Sequence, residues 1–164
     1  MAPIHKAARE GNVAALRRIL AGGVSPDVLD DHPVAFERMS PLLHLVEGYD
    51  GDDSATSDHV ACFKLLRDAG ANLEATDRLG RTPLHCAAVT IRPKLLSLLI
   101  QAGANLEAQC LGRSRALHLA ARLSARRAID CVELLLAAGA DMDARDTSGR
   151  RPFDIALTDN CPRL

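Results

Sequence analysis

Apolar residues recur along this chain at helical spacing and always ahead of a glycine. Eight, seven, four and mostly three positions before Gly23, Gly70, Gly103 and Gly139 stand Ala15, Leu16, Ile19, Leu20; Cys62, Phe63, Leu66; Leu95, Leu96, Leu99, Ile100; and Cys131, Val132, Leu135, Leu136. That spacing gathers one apolar stripe on a helix, and a glycine just beyond it stops the helix because positive φ is cheap only for glycine. Shorter apolar runs open at Ser40-Pro41 and Thr82-Pro83, where a hydroxyl can cap and a proline lacking N–H sits at the first helical position without loss. The pattern predicts helices near 3–10, 13–21, 41–47, 58–68, 83–89, 93–101, 116–123, 126–137 and 152–158, with Pro162 after the last.

These elements repeat. Gly70-Ala71-Asn72, Gly103-Ala104-Asn105 and Gly139-Ala140-Asp141 share one landmark, with a degenerate copy at Gly23-Val24-Ser25. A second landmark precedes each: Pro3-Ile4-His5-Lys6-Ala7-Ala8, Leu43-His44-Leu45-Val46, Thr82-Pro83-Leu84-His85-Cys86-Ala87-Ala88, Ala116-Leu117-His118-Leu119-Ala120-Ala121 and Pro152-Phe153-Asp154-Ile155-Ala156. Gly70 and Gly103 are 33 residues apart, and His5 to Gly23 equals His85 to Gly103 at 18. In these residues the chain resembles the ankyrin-repeat family, with its Thr-Pro-Leu-His-x-Ala signature and period of about 33. The resemblance covers nearly the whole chain. It implies an all-α ankyrin-repeat solenoid of stacked helix pairs with short β-hairpin finger loops, in one domain over 1–164. The repeats would run over 1–30, 31–77, 78–110 and 111–146, with a half repeat at 147–164. No pair could bury its face alone, so stability comes from stacking, and Arg9, Glu10, Arg17 and Arg18 suit a polar end. His5, His44, His85 and His118 read as equivalent positions with a shared structural role, which in the family is hydrogen bonding around the loop and helix start. Arg115-Ala116 replaces Thr-Pro in copy four, which weakens that cap.

The copies differ in length. Fifteen residues separate Gly70 from His85 and Gly103 from His118, but 21 separate Gly23 from His44, so six are added to the first finger. His44 to Gly70 is 26, eight more than the 18 of copies one and three, and copy four gains three near 123–127. Insertions in repeat arrays map to loops that carry binding. Phe36 and Tyr49 fall in or beside the two in copy two, and aromatic anchors are enriched at hot spots.

Composition narrows the function. Only 2% of residues are aromatic and there is no Trp, so the core is aliphatic, which disfavours a large β-sandwich. A net charge of −1 gives no electrostatic case for nucleic acid or membrane as partner. No apolar stretch approaches the roughly 20 residues of a membrane span, and Lys6 interrupts the N-terminus before a secretory h-region can form. Both point to the cytoplasm. Five cysteines, Cys62, Cys86, Cys110, Cys131 and Cys161, suit reduced thiols better than disulfides. Charge is segregated: residues 27–80 hold 12 acidic and 4 basic residues, and the remainder 9 and 16.

Candidate chemistry is sparse. Asp50-Gly51-Asp52-Asp53 opens like a calcium loop, but Ala55 and Ala61 stand where glycine and a bidentate Glu belong. His59 and Cys62 have zinc-ligand spacing without a second pair. Some ankyrin proteins are hydroxylated on an asparagine two after the residue following Gly-Ala-Asp; here Glu74, Glu107 and Asp143 stand nearest, so that modification is not carried over. The reading is a non-catalytic protein-binding module, an adaptor or stoichiometric inhibitor, monomeric when free and without cofactor or metal. Its partner is another protein, met through the concave surface and the copy-two insertions. The residues singled out are Phe36, Arg38, Tyr49, Asp50, Asp52, Asp53, Arg78, Leu79, Arg81, Leu111, Arg113 and Arg150. Two alternatives stand beside it: a metal-dependent or small-ligand-binding protein using the acidic 47–59 loop, and self-association through finger edges or Cys110 and Cys161.

Overall fold

The computed structural model describes residues 2–30, 39–48, 57–123 and 126–159. Its helices are α1 (Pro3–Arg9), α2 (Val13–Ala21), α3 (Pro41–Glu47), α4 (Ser57–Asp68), α5 (Pro83–Val89), α6 (Pro93–Gln101), α7 (Ala116–Ala121), α8 (Arg126–Ala137) and α9 (Pro152–Asp159). Helix α7 ends two residues before the sequence pattern suggests. Ser40 Oγ accepts the Leu43 N–H at 3.4 Å and Asn12 Oδ1 the Ala15 N–H at 3.0 Å, each satisfying a helix-start donor.

The helices pair as α1/α2, α3/α4, α5/α6 and α7/α8, and α9 continues the row, without a second helix among the described residues. First helices stack in one layer, α1 on α3 on α5 on α7 on α9; second helices stack in another, α2 on α4 on α6 on α8. The first layer is joined through buried Ala7, Ala8, Ala87, Ala88, Ala120 and Ala121, the second through Leu16, Phe63, Leu66, Leu95, Leu96, Leu99 and Leu135. Smaller side chains bring helix axes closer, which shortens the first-helix side of the stack. Each second helix except α2 ends in the same way. Ala71, Ala104 and Ala140 donate to Leu66, Leu99 and Leu135 carbonyls at 3.0 Å, with the preceding glycine at φ between +86° and +92°, the geometry that a side chain resists.

A carboxylate ladder joins successive repeats beyond those glycines. Asp27 Oδ1 accepts the Asn72 N–H (2.8 Å), Glu74 Oε1 the Asn105 N–H (2.8 Å) and Glu107 Oε1 the Asp141 N–H (2.9 Å). Glu74 and Glu107 thus act between repeats. Asp143, next in the series, instead lies 3.6 Å from Arg151.

Candidate protein-binding surface

Between the repeats project turns whose bases are closed by backbone bonds: Asp77 N–H to Arg81 O (3.0 Å), Cys110 N–H to Ser114 O (2.9 Å) and Asp146 N–H to Arg150 O (3.0 Å). They are tight hairpins, although no strand is assigned among the described residues. In the finger at 77–81, Asp77 Oδ1 accepts the N–H groups of Leu79 and Arg81, both at 2.8 Å, and Oδ2 accepts Arg81 Nε at 2.7 Å. The finger at 146–150 repeats this with Asp146, Ser148 and Arg150. Backbone bonds also run from tip to tip, Leu111 N–H to Leu79 O and Thr147 N–H to Gly112 O, both 2.9 Å, so the three tips form one row.

The middle finger is built differently. Cys110 stands where Asp77 and Asp146 stand, and its glycine is one position earlier. Gly112 at φ +78° is followed by Arg113 at φ +55°, a left-handed conformation that costs a side-chain-bearing residue roughly 1 to 3 kcal/mol. Leu111 at its tip is 74% exposed, against 38% for Leu79.

Buried histidines hold the fingers in place. His85 Nδ1 accepts the Thr82 N–H at 3.2 Å and lies 2.9 Å from its hydroxyl, while Nε2–H donates across to Ser114 O at 3.3 Å. His118 bridges Arg115 N–H and Arg150 O, and His5 Nε2 donates to Val28 O at 2.8 Å. Arg115 brings no hydroxyl to its cap; its guanidinium lies 2.6 Å from Glu107 instead. Burial pushes the pKa of His5, His85 and His118 below the ordinary value, which keeps the neutral tautomer these bonds need.

His44 corrects the expected equivalence. Counted from the caps Ala2, Thr82 and Arg115, His5, His85 and His118 are the third helical residues, whereas His44 is the fourth after Ser40. Leu43 takes the histidine place, and His44 Nε2 turns back to Asp30 Oδ2 at 2.7 Å. Asp30 N–H closes the first finger on Met39 O, nine positions on where the other fingers need four. Five of the six added residues therefore belong to the finger and one to the helix start.

Residues 4–110 and 53–146 match the family described as Ankyrin repeats (3 copies). The chain belongs to the ankyrin-repeat family. It is 32% identical over 167 residues to B-cell lymphoma 3 protein from Homo sapiens, covering 96% of this chain and 33% of that protein. It is 32% identical over 145 residues to Inversin from Mus musculus, covering 87% and 12%. Over 153 residues it is 30% identical to the transient receptor potential cation channel subfamily A member 1 homolog from Caenorhabditis elegans, covering 93% and 11%. The chain thus spans a third or less of the length of these relatives. Ankyrin repeats are a general protein-interaction module, and the fingers with their neighbouring helix ends are the surface to consider.

On that ankyrin surface Arg78, Leu79, Leu111, Arg113 and Arg150 are exposed at the fingers. Arg81 is engaged within the chain: its Nη2 reaches Glu47 Oε1 at 2.7 Å while Nε holds Asp77. Burial opposes its charge, but the Asp77 hydrogen bond and the surrounding negative charges outweigh that and raise its pKa. Arg150 similarly holds Asp146 from an exposed position. Phe36, Arg38, Tyr49, Asp50, Asp52 and Asp53 lie outside the described residues, as does Cys161. His59 and Cys62, whose spacing alone resembled a zinc pair, have other roles. Buried His59 Nε2 donates to Arg9 O at 3.2 Å with its ring against Gly11, and burial pushes the Cys62 thiol up to about 11. A different trio, Glu47, Asp77 and Cys86, places ligand atoms within 4.8 Å of one another. There the Arg81 guanidinium already bridges both carboxylates, and burial, then Glu47, raises the Cys86 thiol. No described helix is long and apolar enough to cross a membrane.

Proposed function

We propose that this ankyrin chain is a stoichiometric binder, an adaptor or inhibitor, that engages a partner protein through the finger row 77–81, 110–114 and 146–150 and the copy-two insertions. The middle finger carries the reading. It exposes a leucine and strains an arginine where its neighbours use a relaxed aspartate-closed turn, and stacking requires neither departure. Strain kept without structural need is a mark of functional sites. Leu79 beside Leu111 supplies an apolar centre, and Arg78 and Arg113 supply positive charge for complementarity and rapid encounter.

The test compares three baits in parallel capture from the source cells: the native chain, Leu111→Asp and Arg113→Gly. A partner retained by the native chain should be lost with Leu111→Asp. Arg113→Gly should raise the melting temperature through relief of strain yet weaken the purified interaction at least fivefold. Equal retention by all three baits would remove the middle finger from the interface.

A further inference from the structure

The arginines around the fingers at 110–114 and 146–150 divide into two groups. Arg115 lies against Glu107, Arg150 holds Asp146 and Arg151 holds Asp154. The same carboxylates also accept backbone N–H groups: Glu107 from Asp141, Asp146 from Ser148 and Arg150, and Asp154 from Arg151. Their charge is answered within the chain. Arg113 and Arg145 form the other group. Both are exposed, and neither has a carboxylate at ion-pair distance among the described residues. Arg145 instead donates Nη1–H to Gly149 O at 2.7 Å.

That bond sets the two cations at matching places. Gly149 is the fourth residue of its finger, as Arg113 is of 110–114, so the Arg145 guanidinium reaches the place on one finger that Arg113 occupies on the next. The two fingers lie side by side, with Thr147 N–H bonded to Gly112 O at 2.9 Å and Thr147 Oγ1 3.7 Å from where a Cβ on Gly112 would stand. Two positive charges without counter-charge on neighbouring fingers build a local potential that a bound anion relieves. Leu111, 74% exposed, stands on the same pair of fingers.

We propose that the segment of the partner that meets these two fingers is acidic and carries an apolar side chain, its carboxylates binding Arg113 and Arg145 while the apolar group covers Leu111. This rests on the finger-row reading and names the chemistry of what the row binds. Arginine suits the task because its planar guanidinium matches a carboxylate through two parallel hydrogen bonds. An aliphatic tip offers no planar face on which a base can stack, so a polypeptide fits the site better than single-stranded nucleic acid.

Fluorescence anisotropy with a labelled octapeptide, Glu-Glu-Leu-Glu-Glu-Leu-Glu-Glu, tests the assignment beside the same peptide with glutamine or with lysine in place of glutamate, and beside labelled oligouridylate. The glutamate peptide should bind the native chain at least fivefold more tightly than either altered peptide and weaken at least fivefold in 0.5 M salt, which screens exposed pairs. Arg113→Gln together with Arg145→Gln should weaken it at least fivefold with unchanged circular dichroism. Arg17→Gln with Arg18→Gln, which removes the same charge from exposed positions of α2, should change it less than twofold. No preference for the glutamate peptide, an equal loss with the α2 pair, or tighter binding of oligouridylate would overturn the proposal. The finger-row reading is judged separately by the captured partner: its loss with Leu111→Asp upholds that reading whatever the peptides show.

Discussion

Replacing Asp77 by alanine tests whether one carboxylate sets the shape of a finger. Its side chain is 3% exposed and holds two backbone N–H groups and the Arg81 guanidinium. Hydrogen bonds to a charged acceptor contribute about 1.5 to 3 kcal/mol when buried. The Leu79 N–H lies at an exposed tip where water replaces part of the loss, so about 1 kcal/mol is assigned to it and about 1.5 to the Arg81 N–H. The Arg81 pair, at 23% exposure with Glu47 still bound, adds up to about 1 kcal/mol. Asp77→Ala should then cost about 3 kcal/mol in urea denaturation followed by far-UV circular dichroism. Asp77→Asn, which keeps an acceptor for both N–H groups, should cost about half of that. Cys110→Ala removes no comparable network and should cost less than about 1 kcal/mol. A loss below 1 kcal/mol for Asp77→Ala, or an equal loss for Cys110→Ala, would refute the assignment of finger closure to the aspartate.

Other perturbations probe the core, the histidines and the charge. Leu99, fully buried on α6, should cost about 2 to 5 kcal/mol when cut to alanine; an effect within 0.5 kcal/mol would contradict its place in the core. His5, His85 and His118 have native pKa values lowered by burial, so the unfolded chain binds more protons below about pH 6.5. Stability should be full above that pH and fall as pH drops toward the native values, by at most about 1.4 kcal/mol per pH unit for each histidine; denaturation midpoints flat between pH 7 and 5 would contradict this. Reversing Arg78 and Arg113 together to Glu should slow association with the partner at least tenfold at low salt and leave the melting temperature within about 2 °C, whereas an unchanged rate would place recognition elsewhere.

The helices were legible because their signals are local. Glycine stops, Ser-Pro and Thr-Pro starts and a 33-residue period fix eight of the nine helix starts among the described residues to the residue, and α4 to within one. What the sequence hid depends on residues that meet only in space. The Glu74 and Glu107 ladder joins positions 31 and 34 apart, and exposed-looking acidic residues carry no mark of such a bond. In the sequence Arg81 is one more finger cation, and its two carboxylates, one of them 34 residues away, meet it only in the fold. His44 matches the shared histidine by its motif, but counted from Ser40 it stands one residue further into the helix. Ile91 stands at φ +54° in the turn where copy one uses Gly11 at +67°, a left-handed position that the sequence does not mark with glycine.

The middle finger shows how little sequence change separates scaffold from display. In 77–81 and 146–150 the glycine is the fourth residue, so the first can cap the turn and the fifth, an arginine, can fold back on it. Moving the glycine to the third place in 110–114 passes the following left-handed position to Arg113 and leaves Ser114 where the returning arginine would stand. Leu111, at the place Arg78 takes in the first of these fingers, is 74% exposed while its N–H remains tied to the neighbouring finger. The tip is therefore held by the backbone bond at its base and by its neighbours, and not by a side-chain cap. An exposed apolar side chain on a braced backbone loses little entropy when a partner covers it, which is the physical requirement for an anchor.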